Sequence, residues 1–124
     1  MNNFESKVVI VTGGAGGIGK ATCDAFINSK ATVLCVDNNK ERIEKFKSSY
    51  KSSNLFIFDL DITKEKNVTE FYQNVKSKFN GVDHLINNAG VATLNLCKDL
   101  SVEEWDLVMS VNLRGMFLMT KHAI

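Results

Sequence analysis

Short apolar runs alternate with longer amphipathic segments along this chain. Four runs have the length and the β-branched or aromatic content of buried β-strands, and they cover residues 8–11, 31–36, 55–60 and 82–86. Three segments with apolar residues at helical spacing separate them, at about 18–29, 39–50 and 64–79. A last helix is predicted over 101–124, where Ser101 and Glu104 form a capping box. This alternation predicts βαβ units and a parallel sheet.

The apolar positions also predict which helix faces are buried. The first helix is expected to pack through Ile18, Thr22, Ala25 and Phe26. The third is expected to start at a Thr63 cap and to bury a stripe that includes Tyr72. Apolar residues surround most of the last helix, which predicts burial on more than one side. With only four strands one flank would lack cover, so we expect self-association.

A glycine-rich loop, GGAGGIG over residues 13–19, joins the first strand to the first helix. Glycines permit a tight turn, let a phosphate approach the backbone, and expose N–H groups beside the positive end of the helix dipole. The loop therefore predicts a dinucleotide pyrophosphate site.

Other interpretations of the loop remain open, including a plain flexible turn. Its glycines fit the general Rossmann spacing at Gly14-x-Gly16-x-x-Gly19 and a second spacing at Thr12-Gly13-x-x-x-Gly17-x-Gly19. The run from Gly14 to Lys20 also approaches a P-loop, but Ala21 stands where that motif has a magnesium-binding Ser or Thr.

Asp37 stands at the end of the second predicted strand, about 20 residues beyond the loop. A carboxylate there can accept hydrogen bonds from the adenosine ribose hydroxyls and would repel a 2′-phosphate. Asp-Asn-Asn is also good helix-capping sequence, so Asp37 has a second possible role. We favour the ribose role and predict NAD as the cofactor, with NADP the weaker ligand.

Composition and charge narrow the classes of partner and ligand that the protein can have. The 124 residues form one predicted domain, residues 1–124, with a net charge of +1 and acids and bases interspersed, which does not favour nucleic-acid or membrane partners. Cys23, Cys35 and Cys97 are few and widely spaced, as in reduced cytoplasmic proteins, and Cys35 is expected in the core. No metal-ligand spacing is present, so no metal site is predicted.

Four motifs together carry a family resemblance. They are Thr12-Gly13-x-x-x-Gly17-x-Gly19, Asp61-Ile62-Thr63, Asn87-Asn88-Ala89-Gly90 and Val111-Asn112-Leu113. In this order and approximate spacing they resemble the N-terminal half of the short-chain dehydrogenase/reductase family. The resemblance implies a doubly wound α/β Rossmann fold with four parallel strands in the order 3-2-1-4, truncated relative to the full family fold.

The resemblance also implies a role for each matching position. Gly13, Gly17, Ile18 and Gly19 would bind the cofactor at the pyrophosphate turn, and Gly16 lacks the basic charge that NADP-using members often place there. Asp37 would hold the ribose, and Asp61 and Ile62 would lie against the adenine. Asn87, Ala89 and Gly90 would border the cofactor, while Asn88 would steady the sheet. Asn112 matches the asparagine of the catalytic Asn-Ser-Tyr-Lys set, although an asparagine on a helix can also have a purely structural role.

The implied activity is NAD-dependent oxidation of a small-molecule alcohol or reduction of a carbonyl compound. The family's Ser and Tyr-x-x-x-Lys do not follow these motifs, so we expect the 124 residues to bind cofactor without catalysing the reaction. Tyr72-x-x-x-Lys76 has the right spacing, but it precedes Asn87 and lies on an apolar helix face. A non-catalytic dinucleotide-binding module is the main alternative, and a P-loop nucleotide hydrolase is a weaker one.

Overall fold

The computed structural model describes residues 3–124, so Met1 and Asn2 of the predicted domain lie outside the described residues. The strands are β1 Val8–Thr12, β2 Thr32–Asp37, β3 Leu55–Asp59 and β4 His84–Ile86. The helices are α1 Gly17–Asn28, α2 Lys40–Ser49, α3 Glu65–Phe79, α4 Val102–Met109 and α5 Met116–Ala123, and a π-helical segment, Ser110–Gly115, joins the last two. All strands pair in parallel in the order β3-β2-β1-β4, which confirms the predicted topology.

Two hydrophobic cores lie on opposite faces of this sheet. Because side chains alternate along a strand, Val8 and Ile10 of β1 join one core and Val9 and Val11 join the other. Helices α3 and α5 cover the first core, and α1 and α2 cover the second. All five residues of β1 are buried, as expected for a central strand of a doubly wound sheet.

The predicted inner face of α1 is right for Phe26, which packs against the second core, and wrong for Ile18 and Ala25. Ile18 is 77% exposed and Ala25 is exposed, whereas Gly19 and Cys23 are the buried residues of this helix. The helix meets the sheet through these small residues because its first turn packs closely on the glycine loop. Hydrophobicity alone therefore misplaced the first turn of this face.

The predicted cap of α3 is also wrong. The Asp61 Oδ1 atom accepts hydrogen bonds from both the Thr63 N–H (2.9 Å) and the Thr63 hydroxyl (2.6 Å), so this hydroxyl is engaged before the helix begins. Lys64 occupies the capping position without a side-chain hydrogen bond. The capping box of α4 is confirmed, because Ser101 and Glu104 bond each other's backbone N–H groups.

The last helical stretch is not one regular α-helix, as the sequence predicted, but is interrupted by its π-helical segment. It is also less buried than expected, since α4 has no buried residue and α5 buries only Leu118 and Met119. An exposed apolar face remains, formed by Trp105, Leu107, Leu113, Met116 and Phe117.

Tyr72 packs against the first core, and its hydroxyl donates a 2.8 Å hydrogen bond to the Met119 carbonyl. Desolvation by burial raises the pKa of this phenol above its usual value. The Tyr72 side chain thus joins α3 to α5, as expected for a core residue.

Candidate functional site

The glycine loop lies at the carboxyl end of β1 and is closed by contacts that leave no room for side chains. Gly13 has a φ of +61°, and a Cβ atom on it would lie 2.9 Å from the Cα of Ala89. A Cβ atom on Gly19 would lie only 2.0 Å from the carbonyl oxygen of Gly13. Glycine is therefore required at both positions to form the turn.

The start of α1 presents unused hydrogen-bond donors. Gly16 N–H bonds the Gly13 carbonyl (3.2 Å), and Lys20 N–H makes the first bond of the helix, to the Gly16 carbonyl (2.8 Å). Within residues 3–124, the N–H groups of Gly17, Ile18 and Gly19 between them have no acceptor. Three free donors at a helix N-terminus fit the oxygens of a pyrophosphate.

Asp37 is 7% exposed and ties this loop to the end of β2. Its Oδ2 atom accepts a hydrogen bond from the Ala15 N–H (3.1 Å). Its Oδ1 atom accepts from the N–H groups of Asn38 (2.9 Å) and Asn39 (3.0 Å). The cap of α2 is Asn39 and not Asp37, because the Asn39 side chain accepts from the Arg42 N–H. Asp37 thus holds the loop in place, and its Oδ2 atom keeps unused acceptor capacity.

Thr12 and Asn88 join the glycine loop to the segment after β4. The buried Thr12 hydroxyl oxygen accepts from the N–H groups of Asn88 (3.1 Å) and Ala89 (3.0 Å). The Asn88 amide donates to the carbonyl groups of Thr12 (3.0 Å) and Gly13 (3.2 Å). Two motifs that are distant in sequence therefore form one structural unit.

Two buried thiols pack under the loop. A Cβ atom on Gly14 would lie 2.6 Å from the Cys35 Sγ atom, and the Cys23 thiol donates to the Gly14 carbonyl at 3.8 Å. A hydrogen bond with Cys23, together with burial, raises the pKa of the Cys35 thiol well above its usual value. Both cysteines are packing residues of the second core, and the raised pKa of Cys35 argues against a nucleophilic role for its thiol.

A crevice of about 290 Å³ opens beside the loop at the carboxyl ends of the strands. Its lining contains six of the residues predicted for the cofactor site: Gly13, Asp37, Asp61, Ile62, Ala89 and Gly90. Gly17 and Gly19 are not in this lining and lie in the adjoining first turn of α1. Ile62 is 7% exposed and packs on Gly115, where a Cβ atom would lie 2.7 Å from the Ile62 side chain.

Two further predicted cofactor residues, Asn87 and Ile18, also lie outside the lining of this crevice. The Asn87 amide donates to the Thr120 hydroxyl (3.1 Å) on α5. The Ile18 side chain projects outward from the first turn of α1, as its exposure shows. Their roles in cofactor binding stay predictions.

Asn112 lies in the π-helical segment and holds the chain that follows Gly90. Its Oδ1 atom accepts from the Val91 N–H (2.8 Å), and its Nδ2 group donates to the Val91 carbonyl (2.9 Å). Both ends of the amide are therefore used on one backbone residue, although the side chain is exposed. This geometry gives Asn112 a positioning role at the crevice, and its role in catalysis stays a prediction.

Arg42 is a site residue that sequence reasoning missed. It lies in the first turn of α2 and lines the crevice, and its Nη1 atom is 3.7 Å from where a Cβ atom on Gly16 would lie. The available signal was its position, because the start of a helix that follows β2 directly must face the carboxyl edge of the sheet.

The structure disfavours the P-loop interpretation. The Lys20 ammonium lies 5.4 Å from the centroid of the Phe46 ring, against α2, and not over the glycine loop.

Residues 3–124 hold no cluster of three or more potential metal ligands. In the same part of the chain, no helix is long and apolar enough to cross a bilayer.

Comparisons with known proteins match nearly the whole chain. The chain is 38% identical over 119 residues to an NAD-dependent glycerol dehydrogenase of Listeria innocua, and the matched region covers 96% of this chain and 46% of that protein. It is 34% identical over 123 residues to the 3-oxoacyl-[acyl-carrier-protein] reductase FabG of Thermotoga maritima, and this matched region covers 98% of this chain and 50% of that protein.

A solved structure of a short-chain dehydrogenase/reductase from Brucella melitensis superimposes with a TM-score of 0.90 at 27% identity, over 98% of this chain and 52% of that one. The chain thus spans about half the length of these relatives. The family model for the short chain dehydrogenases matches residues 7–124. Because this model matches nearly the whole chain, the chain belongs to the short chain dehydrogenase family.

Proposed function

We propose that this chain is the NAD-binding part of an oxidoreductase that interconverts small-molecule alcohols and carbonyl compounds. The observation that carries the proposal is the set of three free N–H groups at Gly17, Ile18 and Gly19, next to the carboxylate of Asp37. The donors fit the negative charge of a pyrophosphate, and the carboxylate fits ribose hydroxyls. When bound, a nicotinamide cofactor would supply the hydride transfer.

The residues of the chain would bind and orient this cofactor. The first turn of α1 would hold the pyrophosphate, and the free acceptor capacity of Asp37 Oδ2 would hold the adenosine ribose. Asp61 and Ile62 would border the adenine, and Ala89 and Gly90 would border the next part of the cofactor along the crevice. Asn112 would keep the crevice open on that side by holding Val91.

The first prediction is that NADH binds more tightly than NADPH, because a 2′-phosphate would approach the carboxylate of Asp37. Calorimetric titration of both nucleotides into the chain checks this. ATP with Mg²⁺ serves as the control ligand, and tighter binding of ATP would support the P-loop alternative. Equal or reversed affinities for NADH and NADPH would contradict the role of Asp37.

The second prediction is that the 124 residues show no turnover with NAD and alcohols. Proton transfer by a positioned side chain is worth about 10²–10⁴-fold in rate, and Tyr72, the tyrosine with a lysine at the family's spacing, is engaged in packing instead. Tyr72 is bonded to Met119 and its pKa is raised by burial. Tyr72→Phe should therefore lower stability by about 1 kcal/mol, the worth of one hydrogen bond, and leave NADH absorbance traces unchanged. Measurable turnover that Tyr72→Phe removes would refute this prediction.

A non-catalytic dinucleotide-binding module remains the second candidate. Such a module would have the same cofactor site as the enzyme. The two differ only in whether the whole protein contains a catalytic Ser and Tyr-x-x-x-Lys. The sequence that follows Ile124 in the gene distinguishes the two. Self-association through the exposed face of α4 and α5 and a cytoplasmic location also stay predictions.

A further inference from the structure

Strand β3 forms an open edge of the sheet. Among residues 3–124 it pairs only with β2, and none of its five residues is buried, whereas all five residues of β1 are. The opposite edge, β4, has only three residues. An edge strand with exposed apolar side chains is a place where another strand can pair. The free edge of β3 is therefore the longer unpaired edge of the described sheet.

The hydrogen bonds at the two ends of β3 show which of its backbone groups point outward. The Asn54 carbonyl accepts from the Val33 N–H (2.7 Å), and the Leu60 N–H donates to the Asp37 carbonyl (2.8 Å). Backbone groups alternate between the two sides of a strand, so positions 54, 56, 58 and 60 face β2. The N–H and carbonyl groups at positions 55, 57 and 59 therefore face away from the sheet.

The charges along this edge change sign from one end to the other. A groove of about 460 Å³ lies beside the amino end of β3, and Lys47 and Lys51 line it together with Leu55 and Ile57. Among the described residues, no carboxylate belongs to this lining. Asp59 is exposed at the carboxyl end of the strand and shares the face of Ile57, because alternate residues of a strand point the same way. One end of the edge is basic and the other is acidic.

We propose that the free edge of β3 is a dimer interface, at which a second copy of this chain pairs antiparallel and continues the sheet across a twofold axis at Ile57. Antiparallel pairing brings the basic end of one copy to the acidic end of the other. Parallel pairing would place like charges side by side, so the change of sign along the edge selects the antiparallel arrangement. This inference does not depend on nucleotide binding.

The backbone groups of the edge fit this arrangement. The two Ile57 residues lie opposite each other and exchange both of their N–H···O=C hydrogen bonds. Asp59 lies opposite Leu55 of the second copy, donates its N–H to that carbonyl, and brings its carboxylate toward the Lys51 that shares the groove with Leu55. The Leu55 N–H takes no part, because it already donates to the Ser52 carbonyl (3.3 Å).

The opposite face of the edge supplies an aromatic contact. Phe56 is 40% exposed and packs edge-on against Phe79, with ring centroids 5.0 Å apart. In the paired edges it lies opposite Phe58 of the second copy, and cross-strand aromatic pairs stabilise antiparallel sheets. An interface made of one strand pair and its flanking side chains is small, so we expect a weak dimer with a Kd of roughly 10–100 µM.

Sedimentation velocity up to about 1 mM protein would measure the dimer, and amide hydrogen exchange would locate it. Exchange at Ile57 and Asp59 should slow as the protein concentration rises, because both N–H groups become bonded. Trp105→Ser is the control for the exposed face of α4 and α5, and it should leave this protection unchanged. A chain that stays monomeric would overturn the proposal. A dimer that Trp105→Ser abolishes, with Ile57 and Asp59 unprotected, would also overturn it.

Reversal of the charges tests the antiparallel arrangement. Lys51→Glu and Asp59→Lys should each weaken the dimer about tenfold, because each turns two exposed attractions into repulsions. The double variant exchanges the two charges and should bring the Kd back to within about threefold of the original. Lys45→Glu makes the same change of charge on the exposed side of α2, outside the groove, and should alter the Kd by less than about twofold. A double variant that dimerises no better than the single ones would show that the two ends do not meet, and would refute the proposed pairing.

Discussion

Gly19→Ala should abolish nucleotide binding and lower the free energy of unfolding by about 3 kcal/mol or more. The added methyl group would lie 2.0 Å from the Gly13 carbonyl oxygen and 2.7 Å from the Gly14 Cα, which are both backbone atoms. Overpacking of this kind typically costs about 1–3 kcal/mol even where side chains can adjust, and backbone adjusts less. The loop would have to open, which separates the three free N–H groups from Asp37. Urea unfolding and titration with adenosine 5′-monophosphate measure the two effects.

Gly17→Ala is the matched control for stability. It lies two residues away on the same helix, and a Cβ atom there meets nothing within 4 Å. Because alanine restricts the unfolded chain, this variant should be unchanged or up to about 1 kcal/mol more stable. Equal stabilities of the two alanine variants would contradict the close packing of Gly19 on Gly13.

Asp37→Ala should have the second-largest effect, a loss of about 2–4 kcal/mol of stability together with weaker NADH binding. The substitution leaves the N–H groups of Ala15, Asn38 and Asn39 without their acceptor, and one unmet buried donor costs about 1–3 kcal/mol. Some of these N–H groups would gain access to water, so the total loss of stability is smaller than three times the cost of one unmet buried donor. Chemical unfolding gives the stability, and calorimetry gives the NADH affinity.

Asp59→Ala provides the control for this second variant. Asp59 is the partner of Asp37 in the register of β3 and β2, ends its strand in the same way, and is exposed. Its removal should change stability by no more than about 0.5 kcal/mol. If the two variants lost equal stability, the buried hydrogen bonds of Asp37 would not be what holds the loop.

The strands were predictable because a doubly wound sheet is buried on both faces, whereas their order was implied by the family resemblance. Its strands therefore read as continuous apolar runs, such as Val8–Thr12, bounded by glycine and polar residues. The glycine loop and Asp37 were predictable for a similar reason, since strand ends place them at one edge. The first turn of the α1 face was not, because that helix also packs through Gly19 and Cys23, whose small size carries little weight in a hydrophobic pattern.

Other features depend on the direction of a long side chain or on a local change of helix type, and no pattern of residue types encodes either. Arg42 enters the crevice because its long side chain turns back toward Gly16. The π-helical segment around Asn112 falls where apolar residues already surround the helix, so a change in its register leaves no visible break in the pattern.

The hydrogen bonds of Thr12, Asn88 and Asp37 have a consequence for the energetics of ligand capture. They fix the glycine loop before any nucleotide arrives, so the site is preorganised. Because the loop does not have to become ordered when a ligand binds, binding avoids the entropy loss that weakens many flexible sites. The favourable free energy of each phosphate contact is then retained as affinity, which matters most for a small crevice that makes few contacts. The rigidity of the glycine loop would thus itself contribute to the affinity of the proposed nucleotide site.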